Sequence, residues 1–79
     1  MIQMNNVSGE ALIKTINSCE SPVTIHDPNA AEDLRNNRFA QAMLRIAAVN
    51  GAIHNISLDV NSEEDTARFL QFLIDTDVA

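Results

Sequence analysis

Two histidines and a single cysteine are the residues of this 79-residue chain whose types could support catalysis or metal binding. His26 with Asp27, His54 and Cys19 supply imidazole, carboxylate and thiol groups, which are the common ligands of zinc. A thiol beside an imidazole base could also serve as a nucleophile. A lone cysteine, however, excludes a disulfide framework and a cysteine-rich zinc site.

The spacing of these residues does not favour a site. No H-E-x-x-H pattern is present, and two glycines in the whole chain leave little scope for a phosphate-binding loop. We therefore expect no catalytic residue, no metal and no cofactor. A minimal metal-binding or enzymatic domain centred on Cys19, His26 and His54 is one alternative.

Charged side chains form the second group of candidates. Glu63, Glu64 and Asp65 are three consecutive carboxylates that could bind a divalent cation, but adjacent helical positions diverge around the axis. Their position at the positive end of a helix dipole explains them better. Arg38 and Arg45 could contact an acidic partner or a neighbouring subunit.

The net charge of −6 is concentrated in residues 59–79, where six acids face one arginine. Direct nucleic-acid binding needs clustered positive charge, so we expect none. A second alternative function is an inhibitor whose acidic C-terminal third mimics nucleic acid and occupies a basic groove.

Size and composition predict one domain, residues 1–79. The apolar share of 46% is enough for a core, and the charged share of 20% is too low for a disordered tail. No apolar run approaches the length of a membrane span, and no signal-peptide pattern is present. We expect a cytoplasmic protein without membrane contact.

Capping signals and hydrophobic spacing predict the elements of the N-terminal half. Ser8-Gly9-Glu10 is typical of a helix start, and this helix should end before Pro22. The short β-branched stretch 23–26 is typical of a strand. Asp27-Pro28 then predicts the start of a second helix.

Alternation and a capping pattern predict the elements of the C-terminal third. Residues 53–60 are typical of a strand, and Ser62 is the expected N-cap of the last helix. Asp65 is expected to reach back to the start of that helix as in a capping box. The result is an α+β class with the order α-β-α-β-α and a minimal sheet. Its two strands, joined by a helical crossover, should be parallel if they pair.

Residues 39–49 admit two interpretations. One is a helix over 28–49 with a break near Asn36-Asn37, ended by Asn50-Gly51. The other is a β-hairpin over 39–60 with Asn50-Gly51 as a type I′ turn. The hairpin would place apolar side chains opposite polar ones, so the helix is favoured. In this helix one polar stripe is Arg38, Gln41 and Arg45, and the other side is Phe39, Met43 and Ile46.

The C-terminal helix carries the functional prediction. Apolar side chains nearly encircle it: Phe69, Leu70, Phe72, Leu73 and Ile74. A surface helix needs only one apolar stripe, so the second is expected to pack on another chain. The sequence thus predicts a small acidic protein-binding module and not an enzyme: an adaptor, inhibitor or regulatory subunit that acts through this helix as a homodimer. The expected partner-binding residues are Glu63, Glu64, Asp65, Phe72, Ile74, Arg38 and Arg45.

Overall fold

Strands and helices alternate along the chain in the computed structural model, which describes residues 1–29 and 32–77. The elements within these ranges are β1 (Ile2–Ser8), α1 (Gly9–Ser18), β2 (Val23–Ile25), α2 (Arg38–Ala47), β3 (Ala52–Val60) and α3 (Glu63–Asp77). The α+β class with a minimal sheet is confirmed, and the five predicted elements occur in the predicted order after an additional first strand. None of the described helices has the length and apolar content needed to cross a membrane.

The sheet has the strand order β1-β3-β2, and both pairings are antiparallel. The predicted parallel pairing of β2 with β3 is wrong. Val23 lies opposite Val60 and Ile25 opposite Leu58, which is an antiparallel register. Within the described residues of the connection between these strands, 26–29 and 32–51, the one helix is the ten-residue α2. The connection returns the chain to the edge of the sheet at which β2 ends, so β3 runs antiparallel to β2.

Strand β1 was missed because its side-chain alternation is interrupted. Met4 and Val7 are both buried although they are three residues apart, whereas a regular strand points such residues to opposite faces. Asn6 lies between them with φ 54°. That left-handed conformation, which asparagine tolerates better than most residues, shifts the phase of the alternation.

Helix α2 is shorter than the helix predicted over 28–49. Helix α2 begins at the place where the break was predicted, since Asn37 is the N-cap and its Oδ1 accepts the Ala40 N–H at 3.1 Å. The helical segment before the break is wrong for residues 28–29 and 32–37, and residues 30 and 31 lie outside the described ranges. The carboxylate of Asp27 instead accepts the Asn29 N–H in a local turn.

The alternative hairpin over 39–60 is wrong because residues 38–47 are helical. Its turn is nevertheless present. Asn50 and Gly51 have φ angles of 54° and 82°, and Val49 and Ala52 exchange backbone hydrogen bonds of 2.8 and 3.1 Å. Two successive positive φ angles define a type I′ turn, which links the end of α2 to β3.

The predicted caps of the other helices are confirmed. Ser8 Oγ accepts the Ala11 N–H, and Ser62 Oγ accepts the N–H groups of Glu64 and Asp65. These caps orient α1 and α3 over the sheet, where both contact β1. The core between helices and sheet is formed mainly by aliphatic side chains and one aromatic ring: Met4, Val7, Leu12, Ile13, Ile16, Val23, Leu34, Leu44, Ile53, Ile56, Leu58 and Phe69.

Candidate protein-binding surface

Helix α2 turns its apolar side towards solvent. Phe39 is 75% exposed, Met43 52% and Ile46 76%, while the amide side chain of Gln41 is buried. These three apolar residues and the exposed Ala42 share one side of the helix, and we call them the outer α2 face. A surface helix usually keeps its large apolar residues inside. In α2 only Leu44 is buried in the core, where Ala40 and Ala48 pack beside it, and the other three large apolar side chains lie outside.

Hydrogen bonds from its polar side hold α2 in this orientation. Gln41 Nε2 donates to Asn17 Oδ1 at 2.7 Å and to the Leu34 carbonyl at 2.9 Å. Arg45 Nε donates to Glu10 Oε1 at 2.7 Å. Turning the helix to bury Phe39 would break the connection to α1 and both hydrogen bonds of Gln41, and a typical hydrogen bond contributes about 0.5–1.5 kcal/mol net.

A groove runs along one side of the outer α2 face. Its volume is about 470 Å³, and it lies between α2 and a second wall to which Ile25, Asn29, Glu32 and Leu34 contribute. Ile25 and Leu34 line one wall, and Phe39 and Met43 line the other. Val49, just after the helix, is 69% exposed and extends the apolar surface. No other described side chain covers the outer α2 face or fills the groove, so both are open to a partner.

The charges on helix α2 itself are few and positive, and Glu32 lies in the lining of the adjoining groove. Helix α2 contains no acidic residue. Arg38 is exposed at the N-terminal end of α2, and its guanidinium forms no hydrogen bond or ion pair with any residue that the structure describes. Arg45 is committed to Glu10 within the chain. Of the two predicted arginines, Arg38 is therefore the one available to a partner.

The surface predicted on the C-terminal helix is only partly assembled. Glu63 and Glu64 are exposed at the start of α3, and Leu70 and Ile74 are 52% and 55% exposed. Phe72 is partly buried and packs against the core. Apolar side chains therefore occupy both sides of α3, as the encircling pattern predicted, with one side in the core and the other in solvent.

Asp65 lies inside the protein and is not on that surface. It is 0% exposed, and its carboxylate accepts the N–H groups of Glu20 at 3.0 Å and Ser21 at 2.8 Å and pairs with Arg68. Burial opposes its ionisation, but these donors outweigh burial and lower the pKa of Asp65. The expected capping-box role is wrong, because the carboxylate joins α3 to the chain that follows α1.

The histidines and the cysteine have separate partners. Cys19 is buried, its thiol donates to the Thr15 carbonyl, and burial helped by Asp65 raises the thiol pKa to about 11. His26 Nδ1 lies 2.9 Å from Asp59, and His54 Nδ1 lies 3.0 Å from Asn6 Oδ1.

The two imidazoles are also offset along the sheet. The backbone N–H of His26 donates to the Ser57 carbonyl. Ser57 is three residues from His54 along β3, which corresponds to about 10 Å. Within residues 1–29 and 32–77, no three His, Cys, Asp or Glu side chains are grouped so that they could hold a metal ion.

Comparison with known proteins leaves the function to be argued from this surface. The chain matches no protein-family model, no curated protein and no solved structure. Phe39, Met43 and Ile46 were recognised in the sequence as one side of a helix but not as a surface. No signal in the sequence marked them as a surface, because Arg38 and Arg45 of the polar stripe are exposed and only Gln41 of that stripe is buried.

Proposed function

We propose that this protein is a protein-binding module whose contact surface is the outer α2 face with the adjoining groove. The observation that carries the proposal is the exposure of Phe39 and Ile46 at 75% and 76%, beside a buried Gln41 whose Nε2 donates two hydrogen bonds. Covering these side chains would release the free energy of apolar burial, about 25 cal/mol per Å². Contiguous exposed apolar side chains of this kind are typical of protein contact sites.

A protein partner fits this surface better than a small ligand. Phe39 and Met43 line the groove, but Ile46 and Val49 do not. A small molecule in the groove would therefore leave Ile46 and Val49 in water. A partner surface that lies across α2 can cover the outer α2 face and also send a side chain into the groove.

The exposed side of α3 is our second candidate surface for the same function. Leu70 and Ile74 are one turn apart and about half exposed, and Glu63 and Glu64 lie at the start of the same helix. With Asp65 buried, this surface carries fewer charges than the sequence predicted. The cytoplasmic location, the role as adaptor, inhibitor or regulatory subunit, and the nucleic-acid-mimicking alternative stay predictions. The metal-binding or enzymatic alternative has no cluster of side chains among the described residues to support it.

Site-specific photo-crosslinking tests the proposal. A photoreactive amino acid is placed at position 46 on the outer α2 face, at position 14 on the exposed side of α1, or at position 74 on α3. We expect protein adducts, to this chain or to another, mainly from position 46. Equal yields from positions 46 and 14 would contradict a dedicated surface. Adducts from position 74 alone would move the site to α3.

A further inference from the structure

We propose that the outer α2 face binds the same face of a second copy of this chain, with the two α2 helices antiparallel about a two-fold axis beside Ala42. This inference rests on the proposed function and names the partner. Its basis is that the face is self-complementary in the geometry that two-fold symmetry requires, where residue i contacts residue j and j contacts i.

The order of side chains along α2 reads the same way from both ends. Phe39 and Ile46 lie on the centre line of the exposed side and are equally far from the midpoint of the helix between positions 42 and 43. In an antiparallel pair, Phe39 of each copy therefore faces Ile46 of the other. Ala42 meets Ala42 of the second copy on one flank, where the small side chain permits close approach. Met43 meets its counterpart on the other flank and can adapt its shape.

Charges on and near α2 favour the same arrangement. Antiparallel pairing brings Arg38 beside the C-terminal end of the other α2, where unpaired carbonyl groups carry partial negative charge. The two copies of Arg38 remain at opposite ends of the interface. A chain with a net charge of −6 repels its own copy, and that repulsion is smallest at a helix without acidic residues.

The dimensions of α2 predict a reversible dimer. A ten-residue helix is about 15 Å long, so the outer α2 face supplies only part of the roughly 800 Å² that each subunit buries in a standard interface. Val49 and the rim of the groove are the neighbouring apolar groups that can add to it. We expect dissociation on dilution.

Complementary substitutions at the facing positions test both the interface and its direction. Phe39→Glu alone or Ile46→Lys alone places a charge against an apolar side chain, and we expect sedimentation equilibrium to show a dimer Kd raised about tenfold or more. Mixing Phe39→Glu with Ile46→Lys puts Glu opposite Lys in one half of the interface and the native pair in the other. The mixture should therefore form a heterodimer.

Three controls keep this test specific. Mixing Phe39→Glu with Phe39→Lys should not restore association, because these positions face each other only in a parallel pair. Leu70→Glu, at a half-exposed position on α3, should leave the dimer unchanged. The midpoint of thermal unfolding, measured for every variant at high dilution, shows whether the fold is retained.

An engineered disulfide tests the position of the axis. In a Cys19→Ala background, Ala42→Cys should form an intermolecular disulfide on mild oxidation, because the two copies of residue 42 meet beside the axis. Ala67→Cys, at an exposed position on α3, is the matched control and should form no disulfide-linked dimer.

Two results would overturn the inference: a pure wild-type chain that is monomeric at every concentration, or restoration by the parallel mixture and not by the antiparallel one. Either leaves the proposed function standing if position 46 still crosslinks to another protein. Absence of adducts at position 46, with a dimer that Ile46→Lys does not weaken, would remove both.

Discussion

Helices α1 and α2 have the same length but differ in which side faces the core. Each spans ten residues, but α1 buries Leu12, Ile13 and Ile16, whereas α2 buries Gln41 and Leu44. In α1 the apolar side makes the core and the polar side faces water. In α2 a hydrogen-bonded polar side faces α1, and three large apolar side chains are left outside. The difference shows that an amphipathic pattern identifies the two sides of a helix but does not show which side faces the core.

The contrast also separates stability from function. Side chains of α1 contribute to stability through burial in the core. The outer α2 face adds little to the stability of the single chain, which is why we propose a contact with another protein for its apolar residues. Substitutions in the two helices should therefore differ in size and in kind.

Leu12→Ala in α1 should have the largest effect. Leu12 is 0% exposed, and its truncation removes buried methyl groups and leaves a cavity. We expect a loss of about 3–5 kcal/mol in the free energy of unfolding. Chemical denaturation at low protein concentration measures it. A loss below about 1 kcal/mol would mean that α1 is not the helix that anchors the core.

Asp65→Ala should lower the free energy of unfolding nearly as much, because the Asp65 carboxylate links α3 to the segment that follows α1. The substitution removes the acceptor of the Glu20 and Ser21 N–H groups and the partner of Arg68. Charged hydrogen bonds and buried ion pairs of this kind predict a loss of about 3 kcal/mol at neutral pH. The measurement is again denaturant unfolding, with Glu63→Ala at the exposed start of α3 as the control.

The pH dependence provides an independent check on Asp65. Its pKa is lowered in the folded protein, so the stabilisation is present above the pKa of the unfolded chain, about 3.9 for an aspartate. It is lost as the pH falls through the lower folded value. The difference between wild type and Asp65→Ala should therefore be constant near neutral pH and shrink below about pH 4. A difference that does not change with pH would show that the carboxylate acts without its charge.

Gln41→Leu tests the polar side of α2. Leucine has a similar size but cannot donate to Asn17 Oδ1 or to the Leu34 carbonyl. Each acceptor keeps one backbone donor, the Asn36 N–H or the Asn37 N–H. The loss of the two Gln41 hydrogen bonds should still cost about 1–3 kcal/mol in total, although the substitution makes the buried side of the helix more apolar. If Gln41→Leu stabilises the protein instead, the hydrogen bonds do not fix the orientation of α2.

Local signals explain how much of this fold could be predicted from the sequence. Ser8 and Ser62 cap helices through atoms two or three residues away, so neighbouring residues were enough to place α1 and α3. Asp27-Pro28 has the same kind of local signal, yet no helix follows in residues 32–37 because that segment covers the edge of β2. Leu34 donates its N–H to the Val23 carbonyl there, and Asp33 accepts the Val23 N–H.

Tertiary contacts account for the parts of the site that could not be predicted. The direction of Phe39 depends on Asn17 and Glu10, which are distant in sequence and hold the opposite side of α2. The burial of Asp65 depends on two N–H groups 44 and 45 residues earlier in the chain. Neither relationship leaves a periodic pattern in the sequence. The prediction therefore put all three acids of α3 on the surface and assigned protein binding to the C-terminal helix.

Ile46→Ala should have the smallest effect on the single chain and a larger one on its association. Ile46 is 76% exposed, so at low protein concentration the free energy of unfolding should stay within about 0.5 kcal/mol of wild type. At high concentration a dimer or a bound partner stabilises the folded state by mass action, so the wild type should unfold at a higher temperature. The variant should lose part of that increase. If wild type and Ile46→Ala have equal midpoints at every concentration, no second copy covers this face, and its apolar residues require another partner.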